Sequence, residues 1–379
     1  MRNIAFYCHF PWCVQKCPYC DFNSYTLRDG DSFWSYIAAL RKDVEQSAAE
    51  NPSTCIQSIF LGGGTPSLFR PAQIENVLEH IHKHFNVSRD CEITMEMNPN
   101  THVEHSEPLQ NYRKIGINRL SIGAQSFNNK HLKSLGRTHG AEDIFRTYSK
   151  ALAAQFNSIN IDIMYALGKQ TLEQAMADLT KVCELGPEHI SWYQLTIEPN
   201  TVFHSQPPTL PEHDTCADIM QHGLDYLQAR GYHRYEISAF SQTNMECRHN
   251  TNYWAYGDYI GVGAGSHSKV SHGKSTARYH RHRSPKAYLL APTAKRDYRI
   301  LTARDHVFEF MLNRTRLLRP FTAADFENTT QLPFSVLQKK LELAIAQGFI
   351  GDDANGYALT PSGLLYLNDC QLLFLGSDD

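Results

Sequence analysis

The sequence predicts an α/β fold: a partial, TIM-like βα barrel followed by a smaller, mostly helical, winged-helix-like C-terminal domain. Three observations carry that expectation. Strand and helix signals alternate about six times across the first 240 positions, the pattern of a parallel sheet with crossover helices. Polar residues recur at the C-terminal ends of those strands: Cys13, Gly64, Glu96, Gln125 and Asp162. In βα barrels that rim carries the chemistry, although any one of these residues is equally well an ordinary loop-entry residue. Beyond Arg296 the texture changes to closely spaced helices and a hairpin.

Each element has its own local reason. Ile4 to His9 alternates as a strand does and leads into a cysteine-bearing loop. Asp31 to Glu50 places Phe33, Tyr36, Ile37 and Leu40 at helical spacing. Ile56 to Leu61 is a short apolar strand, closed by Gly62-Gly63-Gly64-Thr65-Pro66. Pro71 suits the first turn of a helix reaching Phe85. Cys91 to Glu96, ended by Asn98-Pro99, and Ile117 to Ile122 read as strands. Helices follow around Lys130 and over 141–154. Then come strand Ser158–Met164, helix Thr171–Leu185, strand His189–Leu195 and a helix from Asp214 to Arg230, stopped by Gly231. Tyr235 to Ser238 reads as a further strand.

Glycine and polar residues dominate from Phe240 to Pro285. Arg304–Leu318, a segment from Thr322 and Ser335–Gln347 then read as helices. Phe349–Leu359 reads as a hairpin turning at Asn355-Gly356, and Thr360-Pro361 starts a last helix. The expected division is a barrel domain over 1–240, a connecting region over 241–298 and a helical domain over 299–379. Without a basic face, the last domain reads as a lid or docking element and not a DNA reader.

The chain has 379 residues, enough for one large and one smaller core. A hydrophobic share of 42%, a charged share of 20% and a net charge of −3 describe an ordinary globular protein with no pull toward nucleic acid. No stretch is apolar enough for a transmembrane segment, and the N-terminus lacks a signal-peptide layout. The expected location is cytoplasmic. Ten cysteines in a reducing compartment are free thiols or metal ligands. Cys8, Cys55, Cys91, Cys183, Cys216, Cys247 and Cys370 are scattered and read as packing residues.

Cys13, Cys17 and Cys20 are not scattered. The segment Phe10-Pro11-Trp12-Cys13-Val14-Gln15-Lys16-Cys17-Pro18-Tyr19-Cys20-Asp21-Phe22 has the spacing C-x₃-C-x₂-C. Three thiolates so close can hold one face of a cubane cluster, which normally takes four. The iron left over can accept a substrate amine and carboxylate. Zinc is the competing metal, but structural zinc sites pair two knuckles or add histidines. No second C-x₂-C is present, and His9 precedes the loop in a strand.

These words resemble the radical S-adenosylmethionine superfamily. With Tyr7-Cys8-His9, Asp21-Phe22-Asn23-Ser24 and Gly62 to Ser67, the chain is similar over nearly its whole length to the oxygen-independent coproporphyrinogen oxidase-like family, and most to its heme chaperone branch. The resemblance implies a [4Fe-4S] cluster on Cys13, Cys17 and Cys20, with S-adenosyl-L-methionine beside it. It implies an external electron donor and cleavage of that cofactor to methionine and a 5′-deoxyadenosyl radical.

The resemblance also assigns residues. Gly63, Gly64 and Thr65 match a cofactor-binding segment whose glycines allow close backbone approach. Glu96 matches a carboxylate that contacts the cofactor. Gln125, Arg137 and Asp162 match further contact positions, which in the oxidase relatives hold a second cofactor molecule. Tyr7 matches a position near the cluster, and Tyr19 one against the adenine. No residue is singled out as catalytic. Three departures stand out. Phe22 replaces a further cysteine usual in the oxidases, their N-terminal arm is missing, and Ala166-Leu167-Gly168-Lys169-Gln170-Thr171 differs from Gly-Leu-Pro-Gly-Gln-Thr. The first two argue against coproporphyrinogen oxidation.

His249-Asn250-Thr251-Asn252-Tyr253-Trp254 resembles the HNxxYW motif of the chaperone branch. It implies His249 as a heme contact, with the aromatic pair covering the porphyrin. A cationic stretch follows, including His267, Lys269, Arg278, His280, Arg281 and Arg283. It reads as a solvated loop or as partners for the heme propionates. The expected function is heme binding and delivery to recipient hemoproteins. The alternative is oxygen-independent coproporphyrinogen III dehydrogenase activity in porphyrin metabolism. Whether the chain is an enzyme, a homodimer or a peripheral membrane visitor is left open by the sequence.

Overall fold

The computed structural model describes residues 2–99 and 108–375. Its centre is a run of parallel strands: β1 (Arg2–Phe10), β2 (Thr54–Gly63), β3 (Asn86–Met97), β4 (Arg119–Gln125), β5 (Ser158–Tyr165) and β6 (His189–Gln194). Each lies beside the next, in chain order, with a helical crossover between. β7 (His233–Glu236) and β8 (Ala239–Ser241) add an antiparallel flank beyond β6. The other flank begins with β9 (Tyr259–Val262), which runs parallel to β1. It continues antiparallel through β10 (His267–His272), β11 (Ser275–His280) and β12 (Arg296–Ile300). The order runs from β12 to β7 without closing, so the barrel is partial, as the alternation predicts.

Two of the central strands show which face is which by alternating apolar and polar side chains. In β1, Ile4, Phe6 and Cys8 are fully buried in the core shared with the outer helices. Tyr7 and His9 turn the other way and line the hollow of the sheet. In β5, Ile159, Ile161 and Ile163 join the core while Asn160 and Asp162 face a polar network. A polar concave face is what a sheet needs if its interior is a site and not a packed centre.

Capping fixes the helix starts. Ser32 accepts from the Ser35 N–H ahead of Phe33–Glu50. Thr171 with Gln174 and Thr302 with Asp305 form reciprocal capping boxes. Gly186, at φ +71°, ends helix Leu172–Leu185 in the left-handed region.

The 241–298 segment supplies helix Arg248–Trp254, strands β9 to β11 and the start of β12, which runs on to Ile300. Its strands mix Ser, His, Lys and Arg, so no apolar alternation marks them in the sequence. The C-terminal part builds its own core from Phe310, Met311, Phe326, Leu337 and Leu341. It holds helices Ala303–Arg314, Ala323–Thr330 and Ser335–Ala346 and the hairpin β13 (Ile350–Asp353) and β14 (Gly356–Leu359). Ion pairs tie it to the sheet, among them Arg278 to Glu309 at 2.7 Å, Arg299 to Glu309 at 3.0 Å and Arg316 to Glu236 at 3.3 Å. Among the described residues, no helix is long and apolar enough to cross a membrane.

Candidate cluster and cofactor site

The cysteine loop is closed at its base. Trp12–Cys13 pairs in parallel with Tyr25–Thr26, and the Trp12 ring is buried against Phe33, Tyr36 and Phe69 at 5.0 to 6.0 Å between centroids. Inside the loop, the Cys20 N–H donates to the Cys17 carbonyl at 3.1 Å. All three thiols are free and partly exposed. Burial pushes the Cys13 thiol up, and its repulsion from Cys20 and Cys17 adds to that. Burial also raises Cys20, with Ser24 opposing. Crowded thiols of this kind are stabilised as thiolates by a shared metal centre.

The donor set discriminates between metals. Structural zinc sites pair two cysteine knuckles or add histidines to them. His9 offers no fourth ligand, because Nδ1 meets the Tyr7 hydroxyl at 3.0 Å and Nε2 the Asn23 carbonyl at 2.9 Å. A thiol-only set of three fits a cubane cluster.

The glycine segment is bolted to this loop. The Gly64 N–H donates to the Phe10 carbonyl at 2.7 Å and the Thr65 N–H to the Trp12 carbonyl at 2.8 Å. Gly63 has φ +113°, and a Cβ there would collide with the His9 ring. Its N–H donates to Glu96 Oε2 at 3.0 Å. Burial pushes the Glu96 carboxyl up to about 7, with the Gly63 N–H pulling the other way.

Tyr7, Cys20, Gly63, Glu96 and His249 meet in the wall of one cavity of about 940 Å³. The size suits a cofactor together with a second ligand. His249 arrives on helix Arg248–Trp254, whose first N–H groups, those of Arg248 and His249, donate to the Glu92 carboxylate at 3.1 Å each. Its Nδ1 meets the Ser58 hydroxyl at 3.2 Å, and its ring lies 5.0 Å from Phe60. Burial pulls its pKa down to about 3, so the imidazole is neutral. Tyr253 and Trp254 line the same cavity.

Gln125, Arg137 and Tyr19 form an adjoining group. Gln125, at φ +68°, accepts from the Tyr193 hydroxyl at 2.8 Å. Arg137 donates to the Gly123 carbonyl at 2.7 Å and to Asn98 at 3.0 Å, and reaches the Tyr19 hydroxyl at 3.5 Å. Asp162 sits within β5, accepting from Ser121 at 3.1 Å and Asn160 at 2.8 Å. From Asn160 a chain of contacts runs through His189 (2.6 Å) and Tyr235 (2.8 Å) to the Cys247 N–H (3.2 Å), at the foot of the His249 helix.

The cationic stretch divides sharply. Lys269, Arg278 and Arg281 are paired with Asp258, Glu309 and Asp43, and Lys269 and Arg281 are buried, so these residues belong neither to a solvated loop nor to a ligand site. His267 and Arg283 line the cavity. Asn23, which the sequence shows within the matching segment but without a role, donates through Nδ2 to the Ala264 and Arg283 carbonyls at 2.9 Å and clasps the cysteine loop to the far flank. Sequence reasoning missed Phe60 and Tyr193. Both are single residues in strands, with no spacing to signal them.

Comparison with known proteins agrees with this geometry. Residues 7–181 match the Radical SAM superfamily and residues 301–366 the HemN C-terminal domain. The chain is 41% identical over 373 residues to heme chaperone HemW of Escherichia coli (strain K12), covering 98% of both chains. It is 40% identical over 378 residues to heme chaperone HemW of Haemophilus influenzae, again covering 98% of both. In fold it is similar to the Escherichia coli coproporphyrinogen III oxidase HemN, a radical SAM enzyme. The TM-score is 0.82 at 24% identity, covering 98% of this chain and 90% of that one. The superfamily implies a [4Fe-4S] cluster and S-adenosylmethionine. A thiol-only loop over a polar barrel interior, and identity of this extent to full-length relatives, place the chain in the radical SAM superfamily, within the family of the HemW proteins.

Proposed function

We propose that this chain is a heme chaperone that binds heme and delivers it to recipient hemoproteins. The observation that carries the reading is one cavity with Cys20 and Glu96 in its wall beside His249, Tyr253 and Trp254. The relatives named heme chaperones support it.

Cys13, Cys17 and Cys20 would hold the cluster, three thiolates where such clusters normally take four. When bound, the cluster and S-adenosylmethionine supply one-electron chemistry, with the electron coming from a separate donor. Gly63, Gly64 and Thr65 present backbone to the amino acid end of that cofactor. Glu96 accepts from its amine or ribose hydroxyls. Tyr7 and Tyr19 flank it, and Gln125, Arg137 and Asp162 complete the cofactor wall. His249 offers heme iron its Nε2, because Nδ1 is held by Ser58. His267 and Arg283 face the propionates. The address is cytosolic.

The test is a heme titration followed by transfer to an apo-hemoprotein, run beside an anaerobic coproporphyrinogen assay. Heme binding and transfer without protoporphyrinogen formation is the expected result. Protoporphyrinogen formation without transfer would overturn the reading in favour of the decarboxylase.

A further inference from the structure

Glu45, His80 and His84 stand together on the outer helices, and none of them lines the large cavity. Glu45 comes from helix Phe33–Glu50. His80 and His84 come from helix Pro71–His84, one turn apart, which sets both imidazoles on one face. His80 Nε2 lies 3.0 Å and His84 Nε2 3.8 Å from the same Glu45 oxygen, and the two rings are 4.5 Å apart. One donor atom from each residue falls within 4.8 Å of the other two.

A second observation concerns alignment. His80 is only 5% exposed, and its Nε2 has no aligned hydrogen-bond partner despite the nearby carboxylate. A buried polar atom left in that state is costly unless something else satisfies it. A buried imidazole nitrogen that lies close to a carboxylate without being aligned to it is open to a ligand placed between them. An imidazole nitrogen beside a carboxylate oxygen is a ligand pair of the kind a zinc-class ion takes. Arg41 is the opposing cation, but it is exposed and its field is screened.

We propose that Glu45, His80 and His84 bind a divalent transition-metal ion of the zinc class. Two imidazole nitrogens and one carboxylate oxygen suit such an ion, and water completes its shell. The ion would tie helix Phe33–Glu50 to helix Pro71–His84. It would also satisfy the buried His80 nitrogen.

The test uses the full-length chain with Cys13→Ala, Cys17→Ala and Cys20→Ala, so that the cluster thiols cannot compete. The parent chain, with its cluster loaded anaerobically, runs alongside. Zinc bound per chain is measured after equilibrium dialysis, and Co²⁺ is titrated as a spectroscopic probe. One zinc per chain is expected, with affinity falling about tenfold or more in both Glu45→Gln and His84→Ala. Both sites are partly exposed, so circular dichroism should show an intact fold. Zinc that binds equally to the Glu45→Gln, His84→Ala double variant would place the ion elsewhere and overturn the proposal. So would no zinc in either background. Neither result bears on heme binding.

Discussion

The Arg137 guanidinium stands 3.7 Å from the Cys17 thiol and is held there by the Gly123 carbonyl at 2.7 Å. It is a half-buried cation beside one of the three cluster cysteines. Removing it should leave the three thiols able to hold iron, because none is lost. It should make the cluster harder to reduce, because a nearby positive charge favours the more negative state. Arg137→Gln is therefore expected to retain iron and sulfide but shift the reduction potential negative, with Arg137→Lys intermediate. A redox titration of the reconstituted protein checks this. An unchanged potential would leave Arg137 with a purely structural role.

Glu96 gives a pH signature. Its carboxyl is raised to about 7 by burial, against an unperturbed value near 4.5. The folded state therefore binds more protons than the unfolded state between those values, and stability falls as pH rises through that window. The span corresponds to at most roughly 3 kcal/mol. Glu96→Gln should flatten this slope and stabilise the ligand-free protein at pH 8. The same variant should weaken S-adenosylmethionine binding about tenfold or more, since the acceptor charge is gone. Denaturant titrations at pH 5 and 8, with calorimetry for the cofactor, measure both effects.

The parallel strands were legible because their outward residues, such as Ile159, Ile161 and Ile163, are apolar and their loops carry turn residues. The cysteine loop was legible because three ligands fall within one short segment. The far flank was not. In β10 and β11 the buried side chains mix Ser268, Lys269, Val270, Thr276, Ala277 and Tyr279, and Lys269 is tolerated only because Asp258 lies 3.2 Å away and Tyr256 beneath it. Such compensation comes from distant parts of the chain, so no local pattern reports it. The clasp made by Asn23 and the place of Tyr193 were invisible for the same reason.

Arg281 and Asp43 are both fully buried and lie 2.6 Å apart, joining the end of β11 to helix Phe33–Glu50. Asp43 also accepts from the Tyr288 hydroxyl at 2.9 Å and the Gly263 N–H at 3.1 Å. Burial raises the Asp43 carboxyl to about 6 even with Arg281 beside it. Arg281→Ala should leave that charge uncompensated and cost about 3–5 kcal/mol. Arg281→Met with Asp43→Asn should recover part of the loss. Urea unfolding of the three chains tests the order. Equal stability of the single and double variants would show that the pair is not coupled.

The buried histidines set the acid limit. Burial pulls His249 down to about 3, and His9 and His139 down to about 4, from an ordinary value near 6.5. The unfolded chain therefore binds more protons than the folded one below 6.5, and stability is lost as pH falls toward 4. Glu96 and Asp43 act with the opposite sign over much of that range, so Glu96→Gln removes the higher-lying of two opposing slopes and exposes more of the histidine slope. In that background the unfolding midpoint should drop steadily from pH 7 to pH 4.5. His249→Gln should reduce the slope, because one neutral imidazole no longer has to be charged on unfolding. For heme the neutral ring means that binding draws on no histidine proton between pH 7 and 8. Heme affinity should be flat there, and His249→Ala should lower it about tenfold or more while the iron–sulfur absorbance persists. An unaltered affinity would remove His249 as the iron ligand, while the acid slope would still report its burial.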